Sequence, residues 1–151
     1  MQPLPHREHR AQFEDLVTQA LDYAKSLGAT DAAAEVSEGQ GMAVNVRLGE
    51  VETVEQTRDR ALAVTVFAGQ RRGSASTSDF SRQALEQTVQ AAWHIARYTA
   101  EDPAAGLPDA SELMLDASPD LSLYHPWDIS VEQATQMAIE AEQAARSMSK
   151  H

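Results

Sequence analysis

The chain has 151 residues, no cysteine and a formal net charge of −11, from 12 basic and 23 acidic side chains. Without cysteine it can form neither disulfides nor thiolate metal sites. Nucleic-acid binders gather lysine and arginine on one face, but only Arg71 and Arg72 are adjacent here, so we expect no nucleic-acid binding. No apolar run reaches the roughly 18 residues of a membrane helix, and the first ten residues lack the apolar core of a signal peptide. We therefore expect a cytoplasmic protein without membrane contact.

The first predicted element is an amphipathic helix, which follows a flexible tail over residues 1–7. From about Glu8 the apolar residues recur at helical spacing and form one continuous stripe. Gly28 comes directly after the last of them and suits the left-handed position that ends many helices. The stripe comprises Phe13, Leu16, Val17, Ala20, Leu21, Ala24 and Leu27.

Five strands separated by short turns are predicted next. They cover residues 32–37, 42–48, 51–57, 62–67 and 72–77, with turns at 39–41, 49–50, 58–60 and 69–70. Apolar and other residues alternate most clearly from Met42 to Leu48, which is typical of a half-buried strand. Both faces of the fourth strand are apolar, so we expect it to be central. Short turns between successive strands favour antiparallel neighbours.

The second helix is predicted from Ser81 to about Thr99. Phe80 and Leu85 have the spacing of a hydrophobic staple at its start. Its predicted inner stripe is Leu85, Val89, Ala92, Ile95 and Ala96.

A long connection and a third helix complete the chain. Residues 101–128 are rich in proline, aspartate and serine, and we expect their large apolar side chains to attach the connection to the body: Leu113, Leu115, Leu121, Leu123, Tyr124 and Trp127. The segment from Ser130 to Gln133 matches a capping box that opens a helix. The helix's predicted inner stripe is Ala134, Met137, Ala138, Ala141, Ala144, Ala145 and Met148.

This order predicts an α+β fold in one domain over residues 1–151. About five strands form a mostly antiparallel sheet, and three helices pack on it in the order helix, five strands, helix, helix.

The sequence contains no strong catalytic motif, so we predict neither a catalytic residue nor a metal ligand in this chain. His6 and His9 have a spacing that two metal ligands on a helix can share, but no third ligand lies near them. The carboxylates of Glu50, Glu52 and Glu55 are best interpreted as a solvated strand face.

Two segments are candidates for contact with a peptide or a partner. The predicted strand over residues 72–77 is rich in small residues, so its side chains contribute little to a core. If it lies at a sheet edge, its backbone could pair with an extended peptide, and Arg71 and Arg72 could hold a carboxylate. The alternatives are a covered or solvated edge and a solvated turn. The candidate residues of this strand are Arg71, Arg72, Gly73, Ser74, Ala75 and Ser76.

The second candidate segment is His125-Pro126-Trp127. Proline restricts the residue before it to extended conformations, and Trp127 offers a large apolar surface. We interpret the segment as a structural plug over the core, with His125 and Trp127 as partner contacts in the alternative.

Several blocks, taken in order, carry a resemblance to a known family. They are Gly49-Glu50-Val51-Glu52; residues 61–66, Ala-Leu-Ala-Val-Thr-Val; residues 72–77, Arg-Gly-Ser-Ala-Ser-Thr; residues 88–92, Thr-Val-Gln-Ala-Ala; residues 95–99, Ile-Ala-Arg-Tyr-Thr; and Asp120-Leu121 with His125-Pro126. In this order and spacing the chain resembles the amino-terminal domain of the PmbA (TldE) branch of the TldD/PmbA proteins, also called modulators of DNA gyrase and related to zinc metallopeptidases.

The resemblance implies a non-catalytic domain in one subunit of a heterodimeric peptidase for unfolded peptides. It implies a TldD-type catalytic partner that holds the zinc, so that no cofactor is expected in this chain. It also implies a larger carboxy-terminal metallopeptidase-like domain, which this sequence does not include. A free-standing adaptor that binds peptides at a sheet edge is the alternative, and a gyrase-associated regulatory module is a third possibility that the acidic charge disfavours.

Overall fold

The computed structural model describes residues 6–109, 111–113, 121–123, 125 and 127–148. Its elements are α1 (His6–Ser26), β1 (Asp31–Arg47), β2 (Glu50–Ala68), β3 (Arg71–Thr77), α2 (Arg82–Tyr98) and α3 (Val131–Met148). These residues fall into two compact units, one within 5–38 and 60–121 and the other within 39–59 and 122–148. No helix among them is long and apolar enough to cross a membrane.

The α+β class and the antiparallel arrangement are confirmed, but the described residues form three strands rather than five. The expected breaks at 39–41 and 58–60 lie inside β1 and β2. A glycine marks a turn only where its positive φ is used, and positive-φ glycines occur at 28, 49 and 69 but not at 39 or 41. Charged residues are equally tolerated at 58–60 because the side chains of β2 from Glu50 to Arg60 are exposed.

The sheet has the order β1-β2-β3, so β2 is central as predicted. In its second half, Leu62, Val64 and Val66 are buried at alternate positions. Each such aliphatic side chain contributes about 1.5–3 kcal/mol when fully buried. This half of β2 therefore forms the centre of the first unit's core.

Two helices cover that core from one side. Leu16, Ala20 and Ala24 of α1 are buried, as the predicted stripe requires. The other helix, α2, begins after Ser81, whose side chain accepts a hydrogen bond from the N–H of Ala84, so both its start and its cap are as predicted. The core cluster comprises Leu16, Ala20, Ala24, Leu62, Val64, Val66, Leu85, Val89 and Ala92.

One residue of the predicted α2 stripe is wrong. Ile95 is 47% exposed, whereas Thr88, which was not predicted inside, is buried. The buried positions 85, 88, 89, 92 and 96 span one side of the helix, and Ile95 lies at the margin of that side, next to Gly73 of β3.

The second unit contains the end of the β1–β2 hairpin and α3. Leu48 and Gly49 both have positive φ, the pattern of a two-residue type I′ turn, so the turn lies one residue before its predicted position. Both carboxylate oxygens of Glu142 accept hydrogen bonds there, from the N–H of Leu48 at 2.6 Å and of Gly49 at 2.7 Å. An α3 carboxylate thus holds the hairpin end.

The predicted capping box of α3 is confirmed. Ser130 Oγ accepts from the N–H of Gln133 at 3.2 Å, and the Gln133 side chain accepts from the N–H of Ser130 at 2.9 Å. Its predicted inner stripe is largely wrong: only Ala134 and Ala138 of that set are half-buried. The half-buried face consists of Val131, Ala134, Thr135, Ala138, Ile139 and Glu142.

The connection before α3 does not attach through its apolar side chains as expected. Leu113, Leu121, Leu123 and Trp127 are exposed. Leu115 and Tyr124, for which the same attachment was predicted, lie outside the described residues.

Candidate functional site

The turn and the register of β3 show which of its residues direct their backbone N–H and C=O groups toward β2. Gly69 has a φ of 61° and occupies the first position of the two-residue turn, the pattern of a type II′ hairpin. The pair Ala68–Arg71 that closes such a turn exchanges hydrogen bonds, and bonded and non-bonded pairs then alternate along the ladder. Gly73 and Ala75 therefore direct their backbone groups toward β2.

A second observation supports this alternation. Phe67 pairs with Arg72 in the register, and its carbonyl accepts a hydrogen bond from the N–H of Thr30 at 2.9 Å. Since that carbonyl points away from β3, the Phe67–Arg72 pair is a non-bonded one.

It follows that Arg72, Ser74 and Ser76 direct their N–H and C=O groups outward from the sheet. β3 is an edge strand in the described sheet. No described residue forms a backbone hydrogen bond across this outer edge. The described sheet therefore meets the condition under which the backbone of this strand could pair with an added segment. A proline at Ala75 would interrupt the ladder with β2, whereas one at Ser74 or Ser76 would remove an outward donor.

The side chains of the same strand divide between two faces. Arg71, Gly73 and Ala75 face α2, and Ala75 packs against the core cluster. Arg72, Ser74 and Ser76 are exposed on the opposite face, where Ser74 Oγ lies 2.9 Å from Thr65 Oγ1 of the neighbouring strand. The candidate strand therefore contributes its backbone to the edge, and only three of its six residues place a side chain on the exposed face.

Gly73 allows α2 to lie directly on β3. A Cβ at this position would come within 2.1 Å of the carbonyl oxygen of Ala92 and 2.4 Å of the nitrogen of Ala96. Only glycine fits so close an approach of two backbones. The same point lies 2.9 Å from the Cβ of Ile95, so the exposed Ile95 stands beside this strand.

Arg71 is occupied by contacts within its own unit. Its guanidinium lies 3.1 Å from the carboxylate of Glu101 and donates to the carbonyl of Arg97 at 3.3 Å, at the end of α2. This arrangement favours an anchoring role for Arg71. Arg72, in contrast, has neither an ion pair nor a side-chain hydrogen bond to any described residue.

The junction between β3 and α2 contains a carboxylate whose pKa is perturbed by its hydrogen bonds. The backbone N–H of Ser81 donates to the Asp79 carboxylate at 2.8 Å. That hydrogen bond, supported by one from the Ser81 side chain and by the charge of Arg60, lowers the pKa of Asp79. The Arg60 guanidinium also lies 4.9 Å from the centre of the Phe80 ring, a cation–π distance.

His125 and Trp127 belong to the second unit and are described separately. Both are exposed, and Trp127 is 71% exposed. This exposure is inconsistent with the favoured interpretation of Trp127 as an apolar plug over the core. The alternative, a partner contact, stays a prediction.

Among the described residues, no group of three or more histidine, aspartate or glutamate side chains is placed to hold a metal ion. The ring of His9 instead lies 3.0 Å from the Glu38 carboxylate. Glu50, Glu52 and Glu55 are exposed along β2, as expected of a solvated strand face.

Comparison with known proteins finds a matching family model and similar proteins. Residues 32–96 match the family model described as PmbA/TldA metallopeptidase domain 1. The metalloprotease PmbA of Escherichia coli O157:H7 is 49% identical over 138 residues, and the PmbA homologue of Haemophilus influenzae is 45% identical over 139 residues. Each alignment covers 90% of this chain but 30% of the relative, so the chain spans about a third of the length of these proteins.

Solved structures give a consistent result. A Bacteroides thetaiotaomicron protein with the name modulator of DNA gyrase is 25% identical, with a TM-score of 0.69 over 91% of this chain and 30% of its own. TldE from Thermococcus kodakarensis has the same TM-score over 89% of this chain and 30% of its own, but at 13% identity it shows the fold alone. Residues 32–96 thus match the first domain of the PmbA/TldD metallopeptidases, and the chain is similar to PmbA proteins over 90% of its length.

Proposed function

We propose that this chain acts as a non-catalytic amino-terminal domain of a PmbA/TldE-type subunit in a cytoplasmic metallopeptidase that processes unfolded peptides. The observation that best supports this proposal is the 49% identity to a protein named metalloprotease PmbA, which extends over 90% of this chain. Identity at this level over both compact units supports a shared role for the domain.

In this proposal the chemistry belongs to a TldD-type catalytic subunit, which holds the zinc. The present chain contributes surfaces for pairing and peptide contact and carries no cofactor. The exposed edge of β3 and the exposed side chain of Trp127 are the surfaces most readily available for these contacts.

The test combines the chain with a purified, zinc-loaded TldD-type subunit. Sedimentation velocity should show a faster complex, and peptidase activity should require the catalytic subunit. Trp127→Ala, matched by His94→Ala on the exposed surface of the other unit, examines whether the exposed indole contributes. Peptidase activity of the isolated chain that is abolished by a chelator would refute a non-catalytic role, and failure to form a complex would refute the proposed pairing.

A free-standing peptide-binding adaptor is the second candidate, favoured by the outer edge of β3, which pairs with no described residue. It predicts peptide binding without affinity for the catalytic subunit. Sedimentation with that subunit therefore separates the two functions.

A further inference from the structure

We propose that the outer edge of β3 and the adjacent flank of α2 bind an extended peptide segment with apolar side chains at alternate positions and an acidic group near Arg72. We call this the β3 edge site, formed by the outward backbone groups of Arg72, Ser74 and Ser76 and the side chains of Ala91 and Ile95. The inference rests on the proposed function, in which the domain contacts peptides. It specifies where on the domain a peptide binds and which kind of peptide it is.

The backbone of the site selects an extended ligand. The outward groups of Arg72, Ser74 and Ser76 recur at every second residue, about 6.6–6.8 Å apart. A neighbouring strand presents complementary donors and acceptors at that repeat, whereas a helix satisfies its own backbone groups internally. The edge therefore matches an added strand.

The flank of α2 supplies an apolar surface above that strand. On one flank α2 meets α1, where the Gln90 side chain donates to the hydroxyl of Tyr23. The opposite flank, about 100° or more around the helix from Trp93 and Gln90, carries Ala91 and Ile95, both exposed.

Gly73 brings this flank close to the edge. Because α2 contacts the β3 backbone directly at Gly73, the Ile95 Cβ lies 2.9 Å from the position that a Gly73 Cβ would take. An added strand would run about 4.8 Å beyond β3. Every second side chain of that strand would then point toward the same face as Ile95, so apolar residues at alternate positions would cover it.

Charge complementarity identifies the end of the ligand. Arg71 is paired with Glu101, but Arg72 is exposed and paired with no described residue. In a chain of net charge −11, an unpaired guanidinium at the start of an open edge favours an acidic side chain or a terminal carboxylate. Ser74 and Ser76 add no charge, so the remainder of the exposed face favours uncharged residues.

The experiment uses a fluorescein-labelled peptide of alternating valine and threonine with aspartate at each end. Fluorescence anisotropy measures its binding to the full chain. Ser74→Pro removes one outward donor and should weaken binding at least about threefold, the equivalent of one hydrogen bond; Ser74→Ala, which keeps the N–H, should not. Ile95→Glu should also weaken binding, while His94→Glu, at an exposed position about 100° around the same helix from Ile95, should have little effect.

Two further peptides test backbone pairing itself. One carries N-methyl groups on its valines and the other on its threonines. A strand that pairs along one edge uses the N–H groups of alternate residues only, so methylation of one set should abolish binding and methylation of the other should be tolerated. Equal binding of both, or loss of both, would overturn the proposal.

Hydrogen exchange on the unmodified chain keeps the proposal testable if Ser74→Pro fails to fold. The peptide should slow exchange at the amides of Arg72, Ser74 and Ser76, with little change at Gly73 and Ala75, which already bond to β2. Unchanged exchange at Arg72, Ser74 and Ser76 would overturn the site. A dimer of the free chain that persists in Ser74→Ala but dissociates in Ser74→Pro would also overturn it, because a second copy of the chain would then occupy the edge. These binding experiments contain no catalytic subunit. If the peptide does not bind but the chain still pairs with that subunit, this inference is overturned while the proposed function stands.

Discussion

Replacing Gly73 with alanine should destabilise the first unit strongly. The added Cβ would lie 2.1 Å from the carbonyl oxygen of Ala92 and 2.4 Å from the nitrogen of Ala96, and neither backbone atom can rotate away. To reach van der Waals separation α2 must retreat from β3 by more than ~1 Å, which loosens the packing of Leu85 and Val89.

The magnitude follows from two opposing terms. Overpacking of a well-packed contact typically costs about 1–3 kcal/mol, and the upper end applies here because two backbone atoms are involved. The replacement also restricts the unfolded chain, which returns about 0.4–1 kcal/mol. We expect a net loss of about 2 kcal/mol in the free energy of unfolding.

Urea denaturation followed by circular dichroism measures this loss. Gly39→Ala is the matched control: that glycine lies in a strand without positive φ, and apart from its two chain neighbours no described residue has an atom within 4 Å of its added Cβ. The control should unfold at the wild-type midpoint or slightly above it. A Gly73→Ala protein as stable as the control would refute the close approach of α2 to β3.

Three other predictions concern individual side chains that accept hydrogen bonds from the backbone. Ser130→Ala should cost about 1 kcal/mol of unfolding free energy because Gln133 loses its capping acceptor, and an unchanged urea midpoint would show that Ser130 is not the cap. Glu142→Gln replaces one of two acceptor oxygens at the hairpin end, so the amides of Leu48 and Gly49 should exchange faster with solvent, whereas Glu140→Gln on the same helix should leave them unchanged. The Ser81 N–H lowers the pKa of Asp79 below its ordinary value of 3.8. The stability that this carboxylate contributes is therefore present above that value and is lost as pH falls through the lower folded-state pKa. Between neutral and strongly acidic pH, the urea midpoint should fall less for Asp79→Asn than for wild type, and parallel curves of midpoint against pH would contradict the linkage.

The helices next to the core were predictable because their signals are local. Stripe positions such as Leu16 and Leu85 and caps such as Ser81 depend only on neighbours within a few residues. The strand boundaries were not predictable from local signals. Gly39 or Arg58 interrupts a strand only if the chain reverses there, and a reversal depends on pairing between distant segments. The exposure of Ile95 likewise follows from where α2 meets β3, which helical spacing alone does not reveal.

The candidate site shows the same division. The small residues of β3 indicated an available backbone, and β3 lies at an edge of the described sheet. Which residues direct their N–H groups outward depends on the register set by the Gly69-Gln70 turn, so a proline test of the edge needs Ser74 rather than Ala75. Arg71 and Arg72 are adjacent in sequence, but only the structure shows that Arg71 is anchored by Glu101 whereas Arg72 pairs with no residue in the described ranges.

The central claim is that this chain is the amino-terminal domain of a PmbA/TldE-type subunit. Its most direct test is competition in a peptide-cleavage assay with a TldD-type subunit and its full-length PmbA-type partner. Added in excess before the two are mixed, this chain should occupy the catalytic subunit and reduce cleavage in proportion to its concentration, whereas Gly73→Ala should do so less. Undiminished cleavage at a large excess of the folded wild-type chain would contradict the account.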